Sequence, residues 1–398
     1  MAEKLTTRNK QTGKIFAGNI LLLSIVSFLT DMSSEMILPI LPLFLVSIGG
    51  TGIILGLVGG VGDSIASILK VFSGYFSDKL GKRKTLIYAG YQTSAVSKLF
   101  FAFATIWQHL LILRPIERLG KGIRTAPRDA LIAESVQERG KGFGIHRAFD
   151  TAGAIIGSLL ALLFVIFYSL SFRTIFIIAG GVAFLALIPL VFLREKKSRP
   201  ISKTISLHIS FKEMPSSLKF FIIIATLFAL GNFSYFFFIL RAQQFFSEEL
   251  AIIGPLFLYV LLNIVYAAFC IPLGILSDKI GRKKVLIAGY ALFGFVCLGF
   301  TQLYTSLAYL IILFMLYGLV YALVDANQRA FVSDLASEDS KGTALGTFHT
   351  AIGIALLPGS IIAGFLWDFI DPYATFLYGA LFAFLAVALF SISHIKKT

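Results

Sequence analysis

The stretch Gly74-Tyr-Phe-Ser-Asp78-Lys-Leu-Gly81-Lys82-Arg83-Lys84 returns as Gly274-Ile-Leu-Ser-Asp278-Lys-Ile-Gly281-Arg282-Lys283-Lys284, 200 positions later. Each copy lies between apolar runs of about 20 residues, the length that crosses a bilayer as a helix. A charged hinge this short forces its two helices to be antiparallel neighbours, and its recurrence at half-chain spacing divides the chain into two homologous halves. The same offset sets Asp63 opposite Asn263, Glu134 opposite Asp334, and Lys141-Gly142 opposite Lys341-Gly342.

Composition agrees with a chain that lives in lipid. Only 14% of the 398 residues are charged, against about 25% in a soluble globule. The net charge of +14 does not point to nucleic acid, because the Lys and Arg collect in short loops at alternate helix ends, where they report topology. Cys270 and Cys297 lie in apolar segments without metal-ligand spacing, and the five histidines form no cluster. Without a Gly-x4-Gly-Lys-(Ser/Thr) phosphate loop or a nucleophile or metal constellation, neither a nucleotide-driven pump nor an enzyme is expected, and no cofactor. The basic N-terminus resembles the start of a signal peptide, but the apolar run after it is too long and lacks a small-residue cleavage site, so it is taken as the first membrane helix.

Twelve spans are expected, near 16–45, 51–77, 85–107, 109–134, 144–168, 172–193, 217–245, 251–277, 284–303, 307–333, 343–368 and 373–393. The fourth is argued from parity. Taken alone, 109–134 reads as a loop, since it holds Arg114, Glu117, Arg118, Lys121, Arg124, Arg128 and Asp129. Both basic hinges belong on the same side of the membrane, so an even number of helices separates them. Five spans between them are unambiguous, and 109–134 must be the sixth. The positive-inside rule then puts both termini and the linker in the cytoplasm, with a multi-pass chain in the plasma (inner) membrane. The organisation expected is all-α: a first six-helix bundle at 1–194, a linker at 195–216 and a second bundle at 217–398.

The doubled Gly-x-x-x-Asp-Lys-x-Gly-(Lys/Arg)-(Arg/Lys)-Lys hinge resembles the signature loop of the major facilitator superfamily of secondary transporters, and the resemblance covers essentially the whole chain. It implies two pseudo-symmetric bundles of six helices about a central cavity. It also implies a cytoplasmic gate in which Gly74 and Gly81 allow the tight turn, Asp78 is the latch acid and Lys82 answers Glu134, with Asp278, Arg282 and Asp334 as the counterparts. Lys82 stands where the family usually has Arg, which removes the bidentate pair there. Gly144, Gly153 and Gly157 resemble the helix-5 motif of the family's antiporters, but Ser158 and Ala161 replace its Pro and last Gly. Gly120 and Gly122 match part of the helix-4 motif, whose arginine position is Ile116 here. The run Arg118 to Ala130 is similar to uncharacterised prokaryotic members.

On a helical wheel Arg114, Arg118, Lys121 and Arg128 fall within roughly 80° of one another. A cation at mid-membrane costs on the order of 2.5–3.5 kcal/mol, so this stripe cannot face lipid. Lys70 and Lys98 add two more cations, and Asp31, Glu35, Asp63, Glu117, Asp129 and Asp150 are the available acids. The charges either pair off in a buried network or leave positive charge for an anionic group on a substrate. Candidate substrate residues are Arg114, Arg118, Lys121 and Lys98 in the first half and Asn232, Tyr235 and Asn263 in the second. Asp31, Glu35 and Asp63, carboxylates at membrane depth beside cations, are the candidate proton carriers.

Together these readings describe a secondary transporter of a small solute working by alternating access, coupled to protons, with an anionic or zwitterionic substrate. A drug or amphipathic-compound efflux antiporter of the same fold is the alternative, and a membrane enzyme or assembly factor a remote one. The expected partners are the substrate, protons and the lipid bilayer; nothing requires an oligomer.

Overall fold

Every regular element of the described chain is helical. The computed structural model describes residues 2–80, 82–135, 139–195, 214–302, 306–337 and 341–393; side chains of 2–17 and of several residues near the first hinge, among them Asp78 and Glu134, are outside the description. Fifteen helical segments are present: α1 (Ala2–Ile37), α2 (Leu41–Ser47), α3 (Gly52–Leu80), α4 (Arg83–Phe101), α5 (Trp107–Ser135), α6 (Arg139–Tyr168), α7 (Phe172–Leu185), α8 (Leu187–Val191), α9 (Ser216–Gly231), α10 (Phe236–Gln243), α11 (Ile253–Ile280), α12 (Arg282–Phe300), α13 (Leu307–Leu335), α14 (Lys341–Phe369) and α15 (Pro372–Ile392). Three pairs are single rods with a break. Pro39 interrupts α1–α2, and α7–α8 bends at Ala186. At 232–235 the rod α9–α10 unwinds. Twelve rods result, one for each expected span.

Ten of the rods are long and apolar enough to cross a membrane on composition alone; α4 and α5 are not among them. Hydropathy thus misses α5, which parity supplies, and also α4, one of the spans read as unambiguous; the side chains explain how α5 crosses. Ile112, Ile116 and Leu119 form an exposed apolar stripe, whereas Arg114, Glu117, Arg118 and Arg124 are buried on the other side. Glycines bring the neighbours close enough to cover that side. A Cβ on Gly120 would lie 2.5 Å from the Gly90 carbonyl oxygen of α4, and one on Gly122 would lie 2.6 Å from Leu69 Cβ of α3. With α3 and α4 this close, the charges of α5 meet protein rather than lipid.

The helix pairings repeat with the sequence. In the first bundle α1 lies along α6, and α5 packs on α3 and α4; in the second α11 packs on α13, and α12 on α13 and α15. Between the bundles α3 meets α14 and α6 meets α11, contacts that exchange under the 200-residue offset. Two of the three helix-5 glycines serve packing. Cβ atoms on Gly153 and Gly157 would lie 2.3 Å and 2.2 Å from the α1 carbonyl oxygens of Phe28 and Met32, while Gly144 has open space around it. Most of the expected linker, 196–213, is outside the described residues. Its first described residue, Glu195, accepts the Arg83 and Lys84 backbone N–H groups at 2.7 Å and 3.2 Å, a carboxylate on the N-terminus of α4. Lys84 in turn donates to the carbonyls of Val191, the last residue of α8, and Leu193 just beyond it, and in the second bundle Lys283 donates to the Ser393 carbonyl past α15.

Candidate functional site between the bundles

The bundles are zipped together at the end opposite the basic hinges. There α3 and α14 approach so closely that a Cβ on Gly56 would lie 2.1 Å from the Ser360 carbonyl oxygen, and one on Gly364 would lie 2.3 Å from that of Gly52. Asp368 of α14 accepts the backbone N–H groups of Gly52 and Ile53 at 2.7 Å and 2.8 Å, a carboxylate from one bundle on a helix N-terminus of the other. Tyr235, at the break between α9 and α10, donates to the Leu38 carbonyl at the break after α1.

Deeper in, Glu35 is the meeting point of the two halves. Its carboxylate accepts Tyr259 Oη at 2.9 Å and Asn263 Nδ2 at 3.1 Å, both from α11. Glu35 and Asn263 were expected in separate roles, one for protons and one for substrate; the fold makes them direct partners. Tyr259, Asn263 and Tyr266 recur at helical spacing on one face of α11. That polar stripe in an apolar span was legible in the sequence, and only Asn263 was drawn from it.

Toward the basic end, charged side chains face an open space. Asp63, Arg147, Asp325 and Arg329 have side chains between 40% and 46% exposed. Arg147 of α6 pairs with Asp150 at 2.9 Å and donates across the interface to the Tyr266 hydroxyl, which in turn donates to Asp325 at 3.4 Å. Ser27 donates to Asp150, and Asp31 adjoins the same carboxyl. Asp325 and Arg329, one turn apart on α13, pair at 2.8 Å.

The cation stripe of α5 divides sharply. Arg114 is buried against Glu117 at 2.8 Å, and Arg118 reaches Asp63 at 3.5 Å and Glu117 at 3.6 Å. Arg128 pairs with Asp129 at 2.9 Å. Arg124 lies over the Tyr91 ring and donates to Ser94 at 2.6 Å. Lys98 is 1% exposed, held by Ser33, Ser34 and the Thr30 carbonyl of α1. Arg114 and Lys98, both expected at the substrate, are buried here among first-bundle partners. Two cations differ. Among the described residues, neither Lys121 on α5 nor Lys70 on α3 has a hydrogen-bond or ion-pair partner for its ammonium group, and both are only partly buried. Asp63, from which a pairing with Lys70 could be drawn on spacing, is taken by Arg118.

In the second bundle the break at Asn232 opens into a pocket of about 180 Å³ lined by α9, α13 and α14, with Asn232, Tyr317, Tyr321, Asp325 and Gln328 among its walls. Of the gate, the second-half members are assembled: Arg282 joins Asp278 at 2.8 Å and Asp334 at 2.9 Å, tying α11, α12 and α13 together. In the first half Lys82 is exposed, and Gly81 and the side chains of Asp78 and Glu134 lie outside the description, while Ser73, beside Gly74, donates to the Gly122 carbonyl of α5 at 2.9 Å. The described residues contain no group of three or more His, Cys, Asp or Glu placed to hold a metal.

Known proteins share this architecture and much of the sequence. The chain is 51% identical over 390 residues to an uncharacterised MFS-type transporter of Methanocaldococcus jannaschii, covering 97% of both chains. It is 29% identical over 199 residues to the multidrug resistance protein MdtG of Salmonella arizonae, covering 48% of each. Its fold superposes on the crystal structure of a variant of the nucleoside transporter NupG with a TM-score of 0.81, at 16% identity, over 94% of this chain and 99% of that one. The sequence pattern of the Major Facilitator Superfamily matches residues 23–265 and 256–397. With two homologous six-helix bundles around a polar centre and that match along nearly its whole length, the chain belongs to the Major Facilitator Superfamily and is a multi-pass membrane transporter, not an enzyme.

Proposed function

We propose that this transporter carries a small organic anion, or a zwitterion bound through its anionic group, and that Lys70 and Lys121 receive that group. The observation that supports this most is the contrast within one bundle. Arg114, Arg118, Arg124 and Arg128 each have a hydrogen-bond or ion-pair partner, while Lys70 and Lys121 have none among the described residues, the acid acting most strongly on Lys121 being Asp31 at longer range. An unpaired ammonium at membrane depth is costly, and a bound anion removes that cost. Lys70 also lies within electrostatic reach of Lys121, Arg118 and Arg329, and of the Asp325 carboxylate that pairs with Arg329, so cations from both bundles outnumber the acid there.

The cycle follows from where contacts concentrate. With the termini and basic hinges in the cytoplasm of a cell whose plasma membrane holds the protein, the zipped end faces outward and the arrangement is inward-facing. Opening outward requires parting α3 from α14 and releasing Glu35 from Tyr259 and Asn263. A proton on Glu35 leaves one carboxyl oxygen a donor and weakens its hold on those two donors. Glu35 is thus the carboxylate that links a proton to the rocking of the bundles. The Arg282 cluster and its first-half counterpart form the cytoplasmic gate, and the chain divides at the linker 195–216.

The experiment is a thermal-shift titration of the purified full-length protein with small carboxylates, organic phosphates and organic cations, repeated on the Lys70→Gln/Lys121→Gln double variant. Anions are expected to raise the Tm of the native protein and to lose that effect in the variant, since stabilisation follows from binding to the folded state. Stabilisation by organic cations and not by anions overturns the proposal and favours the efflux reading.

A further inference from the structure

The second-bundle pocket is too small for a whole substrate. At about 180 Å³ it falls below the roughly 300 Å³ at which small-molecule sites begin, so it takes one part of a ligand and leaves the rest in the open space. It is close to the roughly 150 Å³ of an apolar cavity that accepts a benzene ring.

Its walls are shaped and chemically divided. On one side are Phe228 and Tyr317, each immobilised by stacking: Phe228 on Tyr290 with centroids 4.0 Å apart, and Tyr317 on Phe238 at 4.2 Å. Branched aliphatic side chains, Ile352 and Leu356 of α14 among them, supply the remaining apolar wall. Both rings are almost wholly buried, so they give the pocket a wall that does not yield, and an unyielding wall suits a flat group better than a branched one.

The polar groups around it have spare hydrogen-bonding capacity. Asn232 lines the pocket where α9 unwinds, and among the described residues its side-chain amide has no hydrogen-bond partner. Gln328 donates to the Tyr290 hydroxyl at 2.7 Å, which leaves its carbonyl oxygen as an acceptor. The Tyr321 hydroxyl shares a 3.3 Å hydrogen bond with Tyr317 and has further capacity. Asn232 is only partly buried, so its amide reaches the pocket and can both donate to and accept from a ligand there. Asp325, also on the pocket wall and neutralised by its 2.8 Å pair with Arg329, is within electrostatic reach of Lys70, so the pocket adjoins the anion site.

We infer that the second bundle selects substrates by a planar, hydrogen-bonding ring held in the pocket at Asn232, Tyr321 and Gln328, so that the transported anion is an aryl or heteroaryl acid. This rests on the reading that Lys70 and Lys121 bind the anionic group. The first bundle then recognises charge, and the second recognises shape and ring polarity.

Three ring acids of equal charge separate the elements, measured by competition and thermal shift on the full-length protein. Nicotinate has a flat ring with an acceptor, benzoate a flat ring without one, and cyclohexanecarboxylate a puckered apolar ring. The expected order of affinity is nicotinate, benzoate, cyclohexanecarboxylate. Asn232→Ala should weaken nicotinate about tenfold and leave cyclohexanecarboxylate unchanged, and Tyr321→Phe, which keeps the ring, should give the same pattern more weakly. Lys70→Gln/Lys121→Gln should weaken all three together. If the three bind alike and Asn232→Ala treats them alike, the ring pocket is refuted while the anion site stands. The same holds if succinate binds and no ring acid does. If no anion of either kind stabilises the protein at millimolar concentration, the anion reading falls.

Discussion

Tyr259 Oη of the second bundle donates to the Glu35 carboxylate of the first at 2.9 Å, and Asn263, one turn further along α11, donates to the same carboxylate at 3.1 Å. A single ionisable group thus holds two donors from the opposite half. Glu35→Gln keeps a hydrogen-bonding side chain but removes the charge and the proton. The expected result in proteoliposomes is loss of uptake driven by a pH gradient with substrate exchange retained. Unchanged pH-driven uptake would remove Glu35 from the coupling step.

The α3–α14 zipper makes a separate prediction. At Gly56 the space for a side chain is occupied by the Ser360 carbonyl 2.1 Å from the would-be Cβ. That neighbour is backbone and cannot swing aside. Gly56→Leu should therefore hold the outer end apart at a cost of about 1–3 kcal/mol to the closed arrangement. Spin-label distances between α3 and α14 at that end should lengthen, and transport should fall at least tenfold. Distances identical to those of the native protein would refute it.

Asp368 closes the same end by different chemistry. Its carboxylate receives two backbone N–H groups at the start of α3, and removing such a helix-capping group costs about 0.5–2 kcal/mol. Asp368→Ala should shift the population toward the outward-open arrangement, read as faster alkylation of a cysteine placed at the outer end of α14. Asp368→Asn, which keeps an acceptor, should lie between the two.

Lys98 tests the division between built-in and offered cations. Its ammonium is buried with neutral partners only. Lys98→Met fills the same volume without a charge to desolvate, so it should leave anion affinity unchanged within about twofold and leave the Tm equal or higher. A large loss of affinity would place Lys98 in the substrate site after all.

At the second-bundle gate, Arg282 pairs with Asp278 and Asp334, acids whose side chains are roughly half exposed. Surface pairs of this kind contribute about 0.2–1 kcal/mol each, so Arg282→Gln should lower the Tm by only a few degrees. Its effect on the transport rate should be the larger one, because the cluster joins three helices that move as a body. A rate equal to the native one would reduce the cluster to a topological marker.

The covalent pattern alone determined the twelve crossings, the two bundles and even the charged helix α5. Spacing, parity and the positions of charge are one-dimensional quantities, and lipid enforces them strongly. It also determined which side chains are charged at membrane depth, and the family resemblance pointed to the pair Arg282–Asp334. What only the tertiary structure decided is which of those charges are satisfied. Arg114 and Lys121 share a stripe of α5, yet one is buried on Glu117 and the other has no hydrogen-bond or ion-pair partner among the described residues, because neighbouring helices meet the stripe unevenly along its length. Glu35 and Asn263 are more than half the chain apart and meet through the packing of α11 on the first bundle. Pairing across helices depends on rotation and depth to within an ångström or two, and no spacing along the chain encodes that directly.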